Sequence, residues 1–456
     1  MMIERYISSY LPSSTAPLKQ GVYFDTAAQL ALCAETNPWH DQEYQALAFL
    51  SKRVEISRGL YDSYLENGAR ASSERLSSPW ATLALVLLFK DFMRLSVGAD
   101  NSNAVKRLNA VLKLADFLSS EKVVLEAEFL EFIHITAEAY LRGLAPAEAM
   151  ATESLVTPMP GLADPVLPIT VLFWEGPIAR AYLATLKSMG LRAGKIIHLV
   201  SKKNLATKKP VGRFLPGFMR LVYAQSHQKN SIHHWSGVLQ KTETSLFQRI
   251  KGSVERDLGF SPSTIDDALA LADLNVYSSD VEALMIDDLA DEGLYRRLSE
   301  LPSTRILFTG GGILPKRLLE IQSLKFIHIH PGYLPDVRGA DCALWSHLMK
   351  GRTSATCFYM APGIDDGDII FAAYLPSLNV GTEGAGTPVK SLYRATYAFL
   401  DPWIRASVLR KAVALTQGFT CVEAFPQEES ASVTYHFMHE KIQQVAFSRL
   451  FAGNYQ

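Results

Sequence analysis

Residues 304–370 read TRILFTGGGILPKRLLEIQSLKFIHIHPGYLPDVRGADCALWSHLMKGRTSATCFYMAPGIDDGDII. Three apolar runs, 305–309, 326–330 and 356–360, have the length and composition of buried strands. Each gives way to a polar or glycine-rich loop. Open parallel sheets hold ligands outside the carboxyl ends of their strands, so a site is expected on these loops. The first opens with Gly310, Gly311 and Gly312. The second strand carries His328 and His330, then Pro331. The third opens into Gly363, Ile364, Asp365, Asp366, Gly367 and Asp368.

These runs resemble the formyltransferase family that uses 10-formyltetrahydrofolate, whose members include methionyl-tRNA, glycinamide-ribonucleotide and sugar formyltransferases. Gly312-Ile313-Leu314-Pro315-Lys316 resembles the family's folate-side loop. His330-Pro331-Gly332-Tyr333-Leu334-Pro335, with Arg338, Gly339 and Ala340 after it, resembles the segment with the catalytic histidine. The run 363–368 resembles the segment with the catalytic aspartate. With a less distinctive strand at 169, the resemblance covers residues 169–375 and leaves out the first 165.

The resemblance implies an α/β fold with a Rossmann-like, mostly parallel sheet, and formyl transfer to an amine. That chemistry needs a donor at the developing oxyanion and a base with a tuned pKa. His330 matches the family's catalytic histidine and is read as the oxyanion stabiliser. Asp365 matches its aspartate and is read as orienting His330 and, through water, accepting the amine proton. Folate is expected beside Gly310, Gly311, Gly312, Ile313 and Leu314 and beside Gly363 and Ile364. Tyr333, Arg338 and Asp341 are read as substrate contacts, with Arg338 as a brace for its loop the alternative. No metal is expected.

Two positions depart from the family. The family has asparagine two residues before its histidine, where this chain has His328. Strand alternation puts His328 on the same face as His330. A histidine N–H there would replace the asparagine donor, with a new dependence on pH. A different donor or acceptor, or a degenerate site, are the alternatives. Gly332 stands where many relatives carry serine.

The 456 residues suit two or three domains, and 48% hydrophobic residues suffice for packed cores. The net charge of −1 gives no overall pull toward nucleic acid or membrane. The four cysteines form no CxxC pair, so neither a disulfide framework nor a structural zinc is expected. The first residues lack a secretory pattern, so a cytoplasmic protein is expected.

Residues 1–151 read as a helical domain, with helices over 41–67, 79–94, 103–118 and 121–141. His134 there is read as structural. Residues 152–168, rich in proline, read as a linker. The catalytic domain, 169–375, opens as a strand at 169–173, a helix at 178–189 and a strand at 196–200, with a further strand at 274–277 and a helix at 287–298. Between them lies a basic loop at 202–213, read as a solvated loop or a contact to anionic substrate. His233 and His234 are adjacent, so their side chains diverge and a metal pair is not expected. Residues 376–456 read as a small C-terminal subdomain with one or two helices over 391–417, a short strand at 433–438 and a helix at 439–451. The expected function is transfer of a formyl group from 10-formyltetrahydrofolate to a small amine-bearing metabolite. Nucleic acid is not favoured, with a methionyl-tRNA formyltransferase kept as an alternative. Transfer of another one-carbon or acyl group and a non-catalytic, folate-binding regulatory protein are the others. No membrane partner is expected, and a homo-oligomer is compatible with the sequence.

Overall fold

The computed structural model of the chain describes residues 78–98, 101–120, 127–144, 150–152, 165–381, 387–428 and 432–452. The helix read over 41–67 and most of the proline-rich linker lie outside them. The chain divides into two compact units, one of residues 1–146 with 435–445, the other of 147–434 with 446–456.

The described part of the first unit is mainly helical. Helices α1 (Ser78–Ser96), α2 (Asn101–Ser120) and α3 (Ala127–Gly143) are its described regular elements from the N-terminal segment. Helix α3 buries Phe129, Ile133, Ala137 and Leu141. That four-residue spacing lays an apolar stripe along one face. Phe89 of α1 meets Phe129 and Phe132 edge-on, with ring centroids 6.0 and 5.5 Å apart. The return segment 435–445 is held by polar contacts. The Asn109 amide donates to the Phe437 carbonyl, its oxygen accepts from the His439 N–H, and His439 pairs with Asp116.

The second unit is built on a seven-stranded sheet. In chain order its elements are β1 (Val166–Trp174), α4 (Pro177–Ser188), β2 (Arg192–Ser201), α5 (Gly217–Thr242), α6 (Thr244–Leu258), α7 (Pro262–Leu269), β3 (Val281–Ile286), α8 (Glu292–Ser299), β4 (Thr304–Phe308), α9 (Lys316–Leu319), β5 (Leu324–His330), the two-residue β6 (Arg338–Gly339), α10 (Cys342–Lys350), β7 (Ser354–Tyr359), β8 (Ile369–Tyr374), α11 (Val389–Ala395) and α12 (Asp401–Leu415). The strand order is β3-β2-β1-β4-β5-β7-β8. The first five strands are parallel, while β7 runs antiparallel to β5 and β8 antiparallel to β7. This is the Rossmann-like, mostly parallel arrangement expected.

The central strands are near-continuous apolar runs because both their faces are covered. Leu172, Ile197, Leu199, Ile306, Phe308 and Phe326 form one core with Leu294, Leu298 and Leu318. Helix α12, in the segment read as a C-terminal subdomain, packs on α4, β5 and β7 within this unit. Its buried Asp401 holds Arg405, whose guanidinium donates to the Ile329 carbonyl at 2.9 Å. A charged side chain thus fixes the strand that ends in His330.

Three local readings are corrected. The strand expected at 274–277 is a 3₁₀ turn, Leu274–Val276, because the Asp273 carboxylate accepts the Asn275 N–H and caps it. The edge strand is Val281–Ile286 instead. The helix expected from 287 starts at Glu292, where Asp291 caps it by accepting from the Gly293 N–H. The third strand of the opening stretch is not parallel to the other two, so the three carboxyl ends do not share one edge.

Candidate active site

The strand order reverses at β1 and β4, and the crevice at such a switch point is where open sheets bind ligands. Gly310 lies there, packed so closely that a Cβ would come 2.8 Å from the Phe308 ring and 3.2 Å from the Trp174 Cβ. The Thr309 hydroxyl accepts from the Trp174 N–H, tying the two strand ends together. Beyond Gly310 the loop opens. Gly311 has open space around it, Gly312 takes a left-handed φ of 104°, and Ile313 is 71% exposed. Leu314, expected beside folate, instead buries its side chain in the core, so only its backbone is available.

His330 ends β5 and is almost wholly buried. Its Nε2 lies 2.9 Å from the Val337 carbonyl and its Nδ1 lies 3.3 Å from Asp365 Oδ1. Both nitrogens therefore face acceptors, and both are satisfied only when both carry protons. Gly332 explains itself here. A Cβ on it would overlap the Val337 carbonyl and come 2.8 Å from His330 Nε2.

Asp365 reaches this ring by a route the sequence did not suggest. Because β7 is antiparallel, Tyr359 pairs with Ile327, three positions before His330. The loop 360–368 must fold back along β5. It does so through Gly367, whose φ of 124° and contact with the Tyr359 carbonyl leave no room for a side chain. Asp365 itself has a φ of 54°, and its Oδ2 accepts the Gly339 N–H at 2.8 Å. Burial works to raise the Asp365 carboxyl. The His330 ring and the Gly339 N–H outweigh it and bring the group down to about 2. Asp365 is thus an anion at any ordinary pH.

Arg338 braces the same loop. Its two terminal nitrogens bind Asp366 Oδ1 and Gln427 Oε1, each at 2.7 Å. Gln427 in turn donates to the carbonyls of Asp365 and Gly367. Of the two readings of Arg338, the geometry matches the brace. Sequence reasoning missed Gln427, and at a distance of sixty residues nothing local could have marked it. Gly363 is exposed and Ile364 half-buried on the outer turn of this loop.

His328 lies one alternation before His330, as expected, but its hydrogen bonding is not that of a substitute asparagine. Its Nδ1 is 3.2 Å from the Phe308 carbonyl. A carbonyl accepts, so Nδ1 carries the proton. Burial, reinforced by the positive charge of Arg405, pushes the ring down to about 4. At neutral pH His328 is uncharged, and Nε2 is then a lone-pair acceptor. The N–H donor expected there is corrected to a proton acceptor.

The remaining expected contacts lie farther from reach. Asp341 is buried, and its Oδ1 accepts from the Tyr393 and Tyr397 hydroxyls at 2.8 and 2.7 Å, so it organises helices and does not face an acceptor amine. Tyr333 stacks face to face on Tyr374 at 4.4 Å. Thr356 was missed. It stands opposite His330 on β7, and its hydroxyl donates to the Gly332 carbonyl and accepts from the Leu334 N–H, fixing the turn after the histidine. His233 and His234 do diverge. His233 binds Glu175, which also pairs with Arg180, while His234 lies edge-on to Trp235.

Comparison with known proteins supplies the family context. Residues 289–386 match the formyl transferase family. The methionyl-tRNA formyltransferase of Syntrophus aciditrophicus (strain SB) is 39% identical over 77 residues, 16% of this chain and 24% of the relative. That of Alkaliphilus oremlandii (strain OhILAs) is 27% identical over 164 residues, 35% of this chain and 49% of the relative. This chain therefore spans between about a quarter and a half of the curated relatives it matches. Among solved structures, a sugar N-formyltransferase from Shewanella sp FDAARGOS_354 overlaps with a TM-score of 0.33 at 13% identity, over 63% of this chain and 89% of the other. The N-formyltransferase from Helicobacter canadensis, solved with folinic acid and dTDP-3-aminofucose, overlaps with a TM-score of 0.27 at 15% identity, over 38% and 71%. The matched segment holds Gly310, His328, His330, Arg338 and Asp365 together, and by its sequence it is a formyltransferase-family segment.

Proposed function

We propose that this chain is an N-formyltransferase moving a formyl group from 10-formyltetrahydrofolate to an amine of a small metabolite. One observation carries the reading. The buried His330 and the half-buried Asp365 pair at 3.3 Å beside His328, inside the segment that matches the family. The exposed backbone of 311–313, with Ile313 as an apolar surface, and the outer turn at Gly363 and Ile364 suit a flat aromatic ligand edge held by backbone groups. The folate would supply a formyl group on a nitrogen leaving group.

The chain's own residues divide the remaining work. As the amine nitrogen bonds to the formyl carbon, its proton passes to His328 Nε2. When the old carbon–nitrogen bond breaks, that proton returns to the departing nitrogen, and the balance is a formamide and tetrahydrofolate. His330, held between Asp365 and the Val337 carbonyl, lies beside the developing oxyanion, where preorganised polar groups are most effective. Arg338 and Gln427 are positioning residues that keep the Asp365 loop folded.

The test is 10-formyltetrahydrofolate binding and slow hydrolysis by the purified chain, beside His330→Ala and Asp365→Asn. Binding with hydrolysis that both substitutions abolish supports the reading. Absence of binding overturns it. The methionyl-tRNA reading is favoured by the curated relatives matched above, and formylation of methionyl-tRNA in preference to a panel of amino sugars would select it.

A further inference from the structure

Residues 201–242 contain eight Lys or Arg and no Asp or Glu. The net charge of −1 for the whole chain conceals this segregation. Lys202 and Lys203 are neutralised by Asp287 and Asp291. Lys208, Lys209 and Arg213 are exposed and make no ion pair among the described residues.

Directly after them comes a cluster of exposed apolar side chains. Helix α5 is fixed to β2 by its inner side. Ala224 packs on Val200 and Val211, and Gln228 bridges the Ser201 N–H and the Leu199 carbonyl. This orientation turns Phe218, Met219, Val222 and Tyr223 outward. Phe218 is 75% and Val222 63% exposed, and Phe214 in the preceding turn is 89% exposed. The outward side farther along the helix is mostly polar, with Ser226, Asn230 and His234, and its one exposed large apolar side chain among the described residues, Trp235, is covered on one face by Arg394. The apolar surface is therefore a compact tip, flanked by cations.

We propose that this tip docks on an anionic lipid surface. Phenylalanine, valine and methionine side chains have no hydrogen-bonding group and gain by entering the acyl boundary. Lysine and arginine beside them reach the lipid phosphates. Nucleic acid would use the cations, and bases could stack on Phe214 or Phe218, but Met219 and Val222 would gain nothing. A second copy meeting through the same patch would oppose Lys208, Lys209, Arg213 and Arg220 to themselves, since a two-fold interface pairs identical surfaces. The sheet geometry adds a consequence. The loop 202–213 follows the carboxyl end of β2, the end of the parallel sheet where the candidate site lies, so docking would bring that site to the lipid surface.

The test is co-sedimentation of the full chain with vesicles of phosphatidylcholine alone and of phosphatidylcholine mixed with phosphatidylglycerol. Binding only to the mixed vesicles, weakening as salt is raised, is the expected result. The pair Lys208→Glu and Lys209→Glu should weaken it by at least about thirtyfold, at about fivefold for each cation removed and more for the reversed charge. Phe214→Ser with Phe218→Ser should abolish it while circular dichroism and folate hydrolysis stay as in the parent chain. No binding to the mixed vesicles would falsify the proposal. So would tRNA binding that the lysine changes abolish and the phenylalanine changes spare, or a dimer that the phenylalanine changes dissociate.

Discussion

His328 Nδ1 donates to the Phe308 carbonyl at 3.2 Å, and this one hydrogen bond decides what the residue can do. An asparagine at this place offers an N–H to the substrate. His328 spends its N–H on the neighbouring strand and leaves Nε2 as an acceptor. His328→Asn is therefore not a neutral return to the family pattern. It removes the proton acceptor, and turnover should fall by roughly 10²–10⁴, the usual worth of a positioned base, with folate affinity unchanged. Single-turnover rates beside a binding isotherm separate the two, and full activity in the asparagine variant would remove His328 from the mechanism.

The depressed titration of His328 also sets a pH range. Its folded value, about 4, lies below that of an unfolded histidine, about 6.5. Between these values the unfolded chain binds the proton and the folded chain does not. Stability is thus lost from this residue as pH falls from about 6.5 to about 4, and no further below. Activity that depends on a neutral Nε2 should hold down to about pH 5 and fail near 4. A rate profile in which His328→Gln erases an acidic limb near pH 4 is the expected outcome, and an unchanged limb would assign it elsewhere.

Asp365 acts in the same direction by a different route. Its folded value, about 2, is below the unfolded one, about 3.9. Its contribution to stability is complete above about pH 4 and is lost as pH falls toward 2. Asp365→Asn should lower stability at neutral pH and flatten the acid-unfolding curve below pH 4.

Gly332→Ser restores the residue many relatives carry, yet it should inactivate this chain. The added Cβ would collide with the Val337 carbonyl and press on His330 Nε2 at 2.8 Å. The Nε2–carbonyl bond would break or the turn 331–337 would open. Hydrolysis should drop by at least tenfold with a loss of stability of roughly 1–3 kcal/mol, the usual cost of overpacking. A fully active serine variant would show that the turn has room to relax.

Glycine, proline and histidine carried most of what was legible. The tight turn at Gly310 and the meeting of His330 with Asp365 could be read because the motifs that carry them are short and compositionally distinctive. The parallel half of the sheet could be read because its strands are continuously apolar. The direction of β7 could not, since a short apolar run looks the same in either direction. Helix α5 was hidden because it carries apolar residues outward at one end. Leu314 and Asp341 were misassigned for a shared reason. Motif neighbours were taken as site neighbours, whereas Leu314 turns into the core and Asp341 toward Tyr393 and Tyr397.

Arg338 offers the clearest test of positioning against substrate contact. Its guanidinium spans Asp366 and Gln427, and so acts on Asp365 through the loop's own backbone. Arg338→Ala should leave the acceptor KM nearly unchanged and lower kcat on the order of tenfold to a hundredfold, because a loosened Asp365 no longer holds His330. Gln427→Ala should do the same to a smaller degree. The double variant should be no worse than Arg338→Ala alone, since both remove one brace. A rise in KM with kcat preserved would instead make Arg338 a substrate contact.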